Sequence, residues 1–349
     1  MNEKIPVAIL GATGAVGQRF IQLLADHPWF EIAALAGSER SAGKKYSDLR
    51  WILDSDLPSH IGEMIVSAPE PGLPGKIAFS ALPSDIAKNV EPMFAAAGYA
   101  VCSNASTYRE TPNIPLLIPE LNADHISMID KQCIIKSWPG LLVTSPNCTT
   151  TGLAMTLHPL HQAFGVRQVF VTTLQAVSGA GYPGVSFMDI QDNLIPYINS
   201  EEEKIQSETC LLLGEMKAGE RTPAEIGVSV QVNRVPVSDG HTLSIALKFE
   251  RPTSVDEAIQ VLEDFRGPVS IRDLPSAPEN PILVRREIDR PQPRRDRNAN
   301  NGMSVTVGRV RPCPLLDLRM VSVVHNTLRG AASGSILNAE LLVSEGFVG

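Results

Sequence analysis

No apolar run in this chain of 349 residues approaches the ~20 residues needed to cross a bilayer, which argues against a membrane-spanning role. Basic residues are also in short supply: 30 Lys and Arg against 38 Asp and Glu leave a net charge of −8, without the basic excess of a nucleic-acid surface. The cysteines Cys102, Cys133, Cys148, Cys210 and Cys313 are odd in number and widely spaced. With no C-x-x-C pair there is no signature of a zinc knuckle or a redox dithiol, and the usage is that of a reducing cytoplasm. Met1-Asn2-Glu3-Lys4 runs straight into a strand-like segment, without the charged and apolar regions of a leader peptide. Repeats and low-complexity tracts are missing too. What is there is 43% hydrophobic content over a length suited to two domains, so the expected partners are small molecules or further copies of the chain.

The first half alternates short apolar strands with helical spacing. Val7-Ala8-Ile9-Leu10 ends in Gly11-Ala12-Thr13-Gly14-Ala15-Val16-Gly17, after which Val16, Phe20, Leu23 and Leu24 recur at helical period. Glycines at these positions suit a tight turn, close approach of backbone to a pyrophosphate and close packing of helix on strand, and the helix start offers free N–H groups. Gly11, Thr13, Gly14, Ala15 and Val16 are therefore the candidate phosphate-binding turn for a dinucleotide. A purely structural turn is the competing explanation, because the spacing is G-x-x-G-x-x-G and not G-x-G-x-x-G. The strand Glu31 to Ala36 carries its acid at the beginning, out of reach of a ribose, and is followed by Ser38, Arg40 and Ser41, which match a 2′-phosphate. NADP is favoured over NAD. Glu39 argues the other way if it points inward, and Lys44 and Lys45 read equally well as a solvated loop. Ile77 to Leu82 and Tyr99 to Cys102 read as further buried strands, the parallel-sheet pattern. Pro83 and Ser84, the latter a helix cap, follow a strand's carboxyl end, where such folds line the cofactor crevice.

Ser145-Pro146-Asn147-Cys148-Thr149 sets a thiol after a Pro-Asn turn and directly before Leu153, Leu157, Leu160 and Phe164, which repeat at helical spacing. At a helix N-terminus, unpaired N–H groups and the helix dipole favour a thiolate and can hold an oxyanion. The ordinary fate of a free cysteine, burial as a small hydrophobe, is the alternative. Beyond it the pattern changes. Val166 to Ala176, Ile226 to Val232, Thr242 to Phe249 and Met303 to Val310 are longer runs, the last three alternating at period two, as in a mostly antiparallel sheet. Helices from Thr149 and over Val255 to Phe265 cover it. Arg285 to Gly302 has no period and reads as a solvated or subunit-facing excursion. After the strand Leu318 to Val324, the helix Leu328 to Ser344 opens on Gly330, Ala331, Ala332, Ser333 and Gly334, small enough to pack closely on the nucleotide domain. The division expected is residues 1–147 plus 326–349 for the nucleotide and 148–325 for a second, α+β domain.

Gly11 to Gly17, Ser145 to Thr149, Gln175-Ala176-Val177-Ser178-Gly179-Ala180-Gly181, Glu201 to Lys204, Asn233 to His241 and His325 to Ala332 together resemble the aspartate-β-semialdehyde dehydrogenase family, in its archaeal and fungal branch. The resemblance covers essentially the whole chain. It implies a Rossmann-type nucleotide domain joined to a catalytic and dimerisation domain, as in glyceraldehyde-phosphate dehydrogenase, and a homodimer or homotetramer. It also implies NADPH-dependent reduction of L-4-aspartyl phosphate to L-aspartate 4-semialdehyde and phosphate, on the route to lysine, threonine, methionine and isoleucine. By resemblance Cys148 forms the thioester, Gln175 holds the acyl group and His241 is the acid and base that takes the thiol proton. Asn147 beside the nucleophile is expected to help stabilise the oxyanion. Arg234 ends the strand before a Pro-Val-Ser-Asp-Gly hairpin, where its fork suits the substrate carboxylate. Glu201 corresponds to the group for the substrate ammonium, Lys204 and Arg109 to the phosphate cations, and Ser178, Gly179 and Asn326 to neighbours of the nicotinamide. On the residues alone, Glu201 to Lys204 also reads as a solvated helix start.

Two rivals follow. An acyl-CoA reductase of the same fold, acting for instance on malonyl-CoA, keeps Cys148 and His241 but has no use for Glu201, Lys204 and Arg234. A non-catalytic NADP-binding sensor would have an inert thiol.

Overall fold

The computed structural model describes residues 3–217 and 219–349. Met1 and Asn2, where the leader-peptide argument begins, lie outside the described residues. Strands β1 (Ile5–Leu10), β2 (Phe30–Ala36), β3 (Val66–Ser67), β4 (Ile77–Ser80), β5 (Ala100–Ser103) and β6 (Leu141–Thr144) form one sheet in the order β3-β2-β1-β4-β5-β6, with every pair parallel. β4, β5 and β6 are buried at every position, as strands without polar alternation must be when helices cover both faces. The order reverses between β1 and β4, so the ligand crevice lies beyond their carboxyl ends. Gly17 explains how close the first helix, Ala15–Leu24, comes to that turn: a Cβ there would lie 2.2 Å from the Gly11 carbonyl oxygen. The C-terminal helix Ser333–Ser344 adds Ile336, Leu337, Leu341 and Leu342 to the same core as Val7, Ile9, Phe20 and Phe79. Ile271, Leu274 and Met303 join that core as well, so packing crosses the sequence boundary between the two units.

The second sheet holds β7 (Val166–Gln175), β10 (Gly227–Arg234), β11 (His241–Phe249), β12 (Ile282–Arg285), β13 (Val305–Pro312) and β14 (Leu318–Val324), in the order β10-β7-β11-β14-β13-β12. A separate hairpin pairs β8 (Glu215–Lys217) with β9 (Glu220–Thr222). The expected hairpin between Arg234 and His241 is not one: β10 pairs with β7 in parallel, and β11 pairs with the other edge of β7. β7 therefore lies between them, and the carboxyl ends of β10 and β7 meet the amino end of β11 at one edge of the sheet. The helices Cys148–Phe164 and Val255–Asp264 share a core with one face, while Phe170 and Leu174 on the other are 50% and 38% exposed.

Alternation fails on β13, where Val305, Thr306, Val307 and Gly308 are all buried. Part of the segment 285–302 covers this strand: a Cβ on Gly308 would lie 2.6 Å from the Arg290 carbonyl oxygen, while residues 286–289, 294 and 295 of the same segment are exposed, as expected of a solvated excursion. The buried Asp296 anchors it, accepting from Arg290 Nε at 2.8 Å and from the Gln292 backbone at 2.6 Å. Ser84 is not a cap either. The helix Ser84–Ala96 starts behind Pro83 with no side-chain cap, and Ser84 Oγ instead accepts from the Ser106 backbone at 3.3 Å. No helix among the described residues is long and apolar enough to cross a membrane.

Between β14 and the last helix, Leu328–Ala332 winds as a π-helix that presses against the nucleophile helix: a Cβ on Gly330 would lie 2.6 Å from Cys148 Cβ. Arg329 locks this turn through two bonds of 2.7 Å to the Glu120 carboxylate, with both side chains 1% exposed. Removing one charge strands the other in a dry interior, whereas removing both avoids that cost. Arg329→Met is expected to lower stability by about 3–5 kcal/mol, and the double replacement with Glu120→Met should recover most of it. Urea midpoints of the two variants check this, and equal losses would show that the pair is not the source.

Candidate active site

Asn147 caps the nucleophile helix. Its Oδ1 accepts from the backbone of Thr149 at 2.8 Å and of Thr150 at 3.1 Å, so the helix begins at Cys148. Across the core, 93 residues on in sequence, His241 opens β11 with its Nε2 3.2 Å from Cys148 Sγ. The ring is oriented by Ala176, whose N–H donates to His241 Nδ1 at 3.0 Å. The Ala176 carbonyl accepts from Arg234 Nη1 at 2.8 Å. The backbone of one residue thus holds the imidazole and the guanidinium side by side, directly after Gln175, whose amide donates to Thr173 Oγ1 at 3.3 Å. Gly179 covers the pair: a Cβ there would lie 2.7 Å from Arg234 Nη1 and 3.3 Å from His241 Nε2.

The electrostatics revise two sequence expectations. Because Nδ1 accepts a backbone N–H, the neutral ring carries its proton on Nε2 and donates it toward sulfur, so it has no lone pair there to take the thiol proton. Burial, then Arg234 and His325, hold the imidazole down at about 3, and it stays neutral. The thiol is the second. Burial pushes it up to about 12 and Glu201 adds to the rise, outweighing the downward pull of Arg234, Arg109 and the Thr149 hydrogen bond. The helix start favours a thiolate but does not outweigh that desolvation.

Glu201 is buried, and both its oxygens accept from Asn147 Nδ2 at 3.0 Å. The amide expected to meet an oxyanion is therefore engaged with Glu201 on one side and with the helix cap on the other. The acidic run divides by face: Glu202 accepts from the Val232 backbone at 3.0 Å, Glu203 is exposed, and Lys204 is half-buried beside Arg109 in an open cleft with Ser106, Thr107 and Glu208. Sequence reasoning missed Glu208, which accepts from Arg109 Nη1 at 2.9 Å and from the Asn147 backbone at 2.6 Å. Its signal was available: Glu201, Ile205 and Glu208 repeat at i, i+4 and i+7, one face of a helix.

At the crevice, the first helix begins at Ala15 with Gly14 before it and no side-chain cap, which leaves the early N–H groups for a ligand. The Gly11–Gly14 turn precedes it, with Thr13 half-buried and Val16 in its first turn. Ser38 and Arg40 are exposed past the end of β2, and among the described residues Arg40 has no carboxylate within ion-pair distance. Ser41 is different. It is buried, and its hydroxyl donates to the Ser38 carbonyl at 2.9 Å, shaping the turn. Pro83 and Ser84 are exposed after β4. Asn326 is buried and bridges two regions: Nδ2 bonds Ser178 Oγ at 2.8 Å and Oδ1 accepts from the Gly240 backbone at 2.9 Å, next to His241. Arg297, also missed, donates to the Asp239 carbonyl at 2.9 Å and braces the same turn.

Comparison with known proteins agrees with this arrangement. Residues 6–129 match the family model for the semialdehyde dehydrogenase NAD binding domain, and residues 157–329 that for the semialdehyde dehydrogenase dimerisation domain. Aspartate-semialdehyde dehydrogenase of Methanothermobacter thermautotrophicus is 49% identical over 343 residues, covering 97% of this chain and 99% of that protein. The enzyme of the same name from Saccharomyces cerevisiae is 43% identical over 365 residues and the full length of both. Among solved structures, aspartate semialdehyde dehydrogenase with NADP from Candida albicans superposes with a TM-score of 0.91 at 44% identity, covering 98% of this chain and 99% of that one. Aspartate semialdehyde dehydrogenase II of Vibrio cholerae complexed with ASA gives 0.80 at 25% identity, covering 99% and 100%. With the cysteine-histidine contact and the nucleotide turn found in one fold, the chain belongs to the aspartate-semialdehyde dehydrogenase family.

Proposed function

We propose that this protein interconverts L-4-aspartyl phosphate and L-aspartate 4-semialdehyde with NADP as cofactor, through a thioester on Cys148. The observation that carries this reading is the Cys148–His241 contact of 3.2 Å with one carboxylate, Glu201, and two guanidinia, Arg234 and Arg109, in electrostatic reach of the same sulfur. An amino acid bearing an ammonium, a carboxylate and a phosphate calls for that set of charges. The uncapped helix start and the unpaired Arg40 fit a dinucleotide with a 2′-phosphate, with Ser178, Gly179 and Asn326 beside its nicotinamide. When bound, NADP accepts or supplies the hydride at the acyl carbon.

The chain's own residues do the rest. Arg234 clamps the α-carboxylate, Glu201 pairs with the ammonium, Gln175 holds the acyl group, and Lys204 and Arg109 receive the phosphate. As substrate binds, Cys148 gives up its proton to solvent; the thiolate then attacks the carbonyl carbon and displaces phosphate toward Lys204 and Arg109, while the Nε2–H of His241 stabilises first the thiolate and then the oxyanion. Substrate binding also alters the nucleophile. Glu201 is one cause of the high thiol pKa, so an ammonium paired with it removes part of that rise and favours the thiolate. Asn147 acts as a positioning residue that caps the helix and orients Glu201. We assign the nucleotide to residues 1–147 with 326–349 and the chemistry to 148–325. Self-association through the exposed Phe170 and Leu174 face, and a cytoplasmic location, complete the proposal.

Phosphate-dependent NADPH formation from aspartate semialdehyde is the direct test, run beside malonyl-CoA-dependent NADPH oxidation; activity only in the second assay would transfer the reading to an acyl-CoA reductase. Cys148→Ser is expected to abolish turnover while NADP binding, followed by fluorescence, persists. Arg234→Lys should raise the KM for semialdehyde at least about tenfold and leave that for NADP within about twofold, because an ammonium cannot form the two-pronged bond. For the titration, a negative neighbour raises a thiol pKa, so its neutralisation lowers it. Glu201→Gln should therefore be alkylated by iodoacetamide several-fold faster at pH 7 than the unaltered protein, roughly threefold or more, although its turnover falls. A slower or equal alkylation rate would sink the substrate-gated thiol.

A further inference from the structure

Glu208 has no part in the roles assigned above, yet its carboxylate joins two of them. One oxygen accepts from Arg109 Nη1 at 2.9 Å and the other from the backbone N–H of Asn147 at 2.6 Å, and the side chain is 2% exposed. Arg109 is otherwise held by the Asn104 carbonyl at 2.8 Å, while its Nε is buried without a partner. Glu208 also lines the cleft that Arg109 and Lys204 share with Glu110. Among the residues lining the cleft two cations face two carboxylates, so Glu208 offsets part of the positive charge that an arriving phosphate meets.

We propose that Glu208 is a positioning residue with two effects: it weakens phosphate binding at Arg109, and it ties the Arg109 guanidinium to the backbone that sets Cys148. This rests on the reading of Arg109 and Lys204 as the phosphate cations. The chemistry gives a reason for a weak site. Phosphate must leave once the thioester forms in one direction, and must attack that thioester in the other, so a dianion held too tightly would block the cleft. The tether works through Asn147: a guanidinium drawn toward phosphate pulls on Glu208, Glu208 holds the Asn147 N–H, and the Asn147 side chain caps the helix that begins at Cys148.

Glu208→Gln keeps the shape but leaves one acceptor oxygen for two donors, and removes the charge. In steady-state kinetics with semialdehyde, NADP and inorganic phosphate, its KM for phosphate should fall roughly three- to tenfold through loss of a like charge beside the anion. Its kcat should fall about tenfold or more through loss of nucleophile geometry, with the KM for NADP unchanged. A purely structural lesion would not tighten phosphate. Glu208→Asp serves as the second variant: it keeps the charge but shortens the tether, so phosphate KM should stay within about twofold while kcat falls. Arg109→Ala separates the two readings. If it raises phosphate KM but Glu208→Gln does not lower it, or if Glu208→Asp retains full kcat, the role of Glu208 is overturned and the phosphate cleft stands. If Arg109→Ala leaves phosphate KM unchanged, the cleft reading falls and takes this inference with it.

Discussion

The backbone of Ala176, its N–H and its carbonyl, is the constraint on which the rest of the site depends. Its N–H decides which nitrogen of His241 carries the proton, and its carbonyl fixes the guanidinium of Arg234. Both side chains are buried, with Gly179 packed against them, and backbone donors and acceptors fix how each is turned. Ala176 directly follows β7, which lies between the strands that deliver Arg234 and His241, so the strand order is what brings two residues seven apart into one cleft.

Burying so many charges near a sulfur costs desolvation, and the protein offsets it by pairing. Arg109 faces Glu208, Arg329 faces Glu120, and Glu201 is met by an amide rather than by a charge. Glu201 differs: among the described residues no cation lies within ion-pair distance of it, and it pushes the neighbouring thiol away from ionisation. On the proposed reading a substrate ammonium would meet that charge, which favours an amino acid over a CoA ester.

The nucleotide half was legible because its signals are local. A strand, a glycine turn and an amphipathic helix follow each other within one βαβ unit, and buried parallel strands announce themselves as unbroken apolar runs. The second sheet was legible in its strands but not in their order. Six residues, Val235 to Gly240, separate β10 from β11 and read as a hairpin, yet a gap of two strand spacings, about 10 Å, is well within reach of such a segment. Nothing local distinguishes the two outcomes; only the long-range pairing of β7 with both neighbours does. The anchor of the segment 285–302 was not legible for a similar reason, since it is a single buried Asp296 with no periodic companion.

Most of the charged site residues could be listed from the sequence, Glu208 and Arg297 excepted, but their states could not. Position along the chain put Cys148 at a helix N-terminus, and that dipole argument predicted an ionised sulfur. The helix-end effect is typically worth about 0.3–1 kcal/mol and up to ~2 kcal/mol when partly buried, whereas desolvating a thiolate in the interior is a shift of several pKa units at 1.36 kcal/mol each. Burial therefore outweighs the helix start, and the balance tips only when the surrounding charges change. On the proposed mechanism, ionisation is then a property of the complex. The same comparison accounts for His241: a neutral imidazole locked as a donor suits a sulfur that becomes negative late, on contact with substrate, better than a base standing ready beforehand. A permanently ionised cysteine in a crevice open to solvent would be exposed to stray electrophiles and oxidants, and on the proposed mechanism a thiol raised by Glu201 avoids that exposure until the substrate is bound.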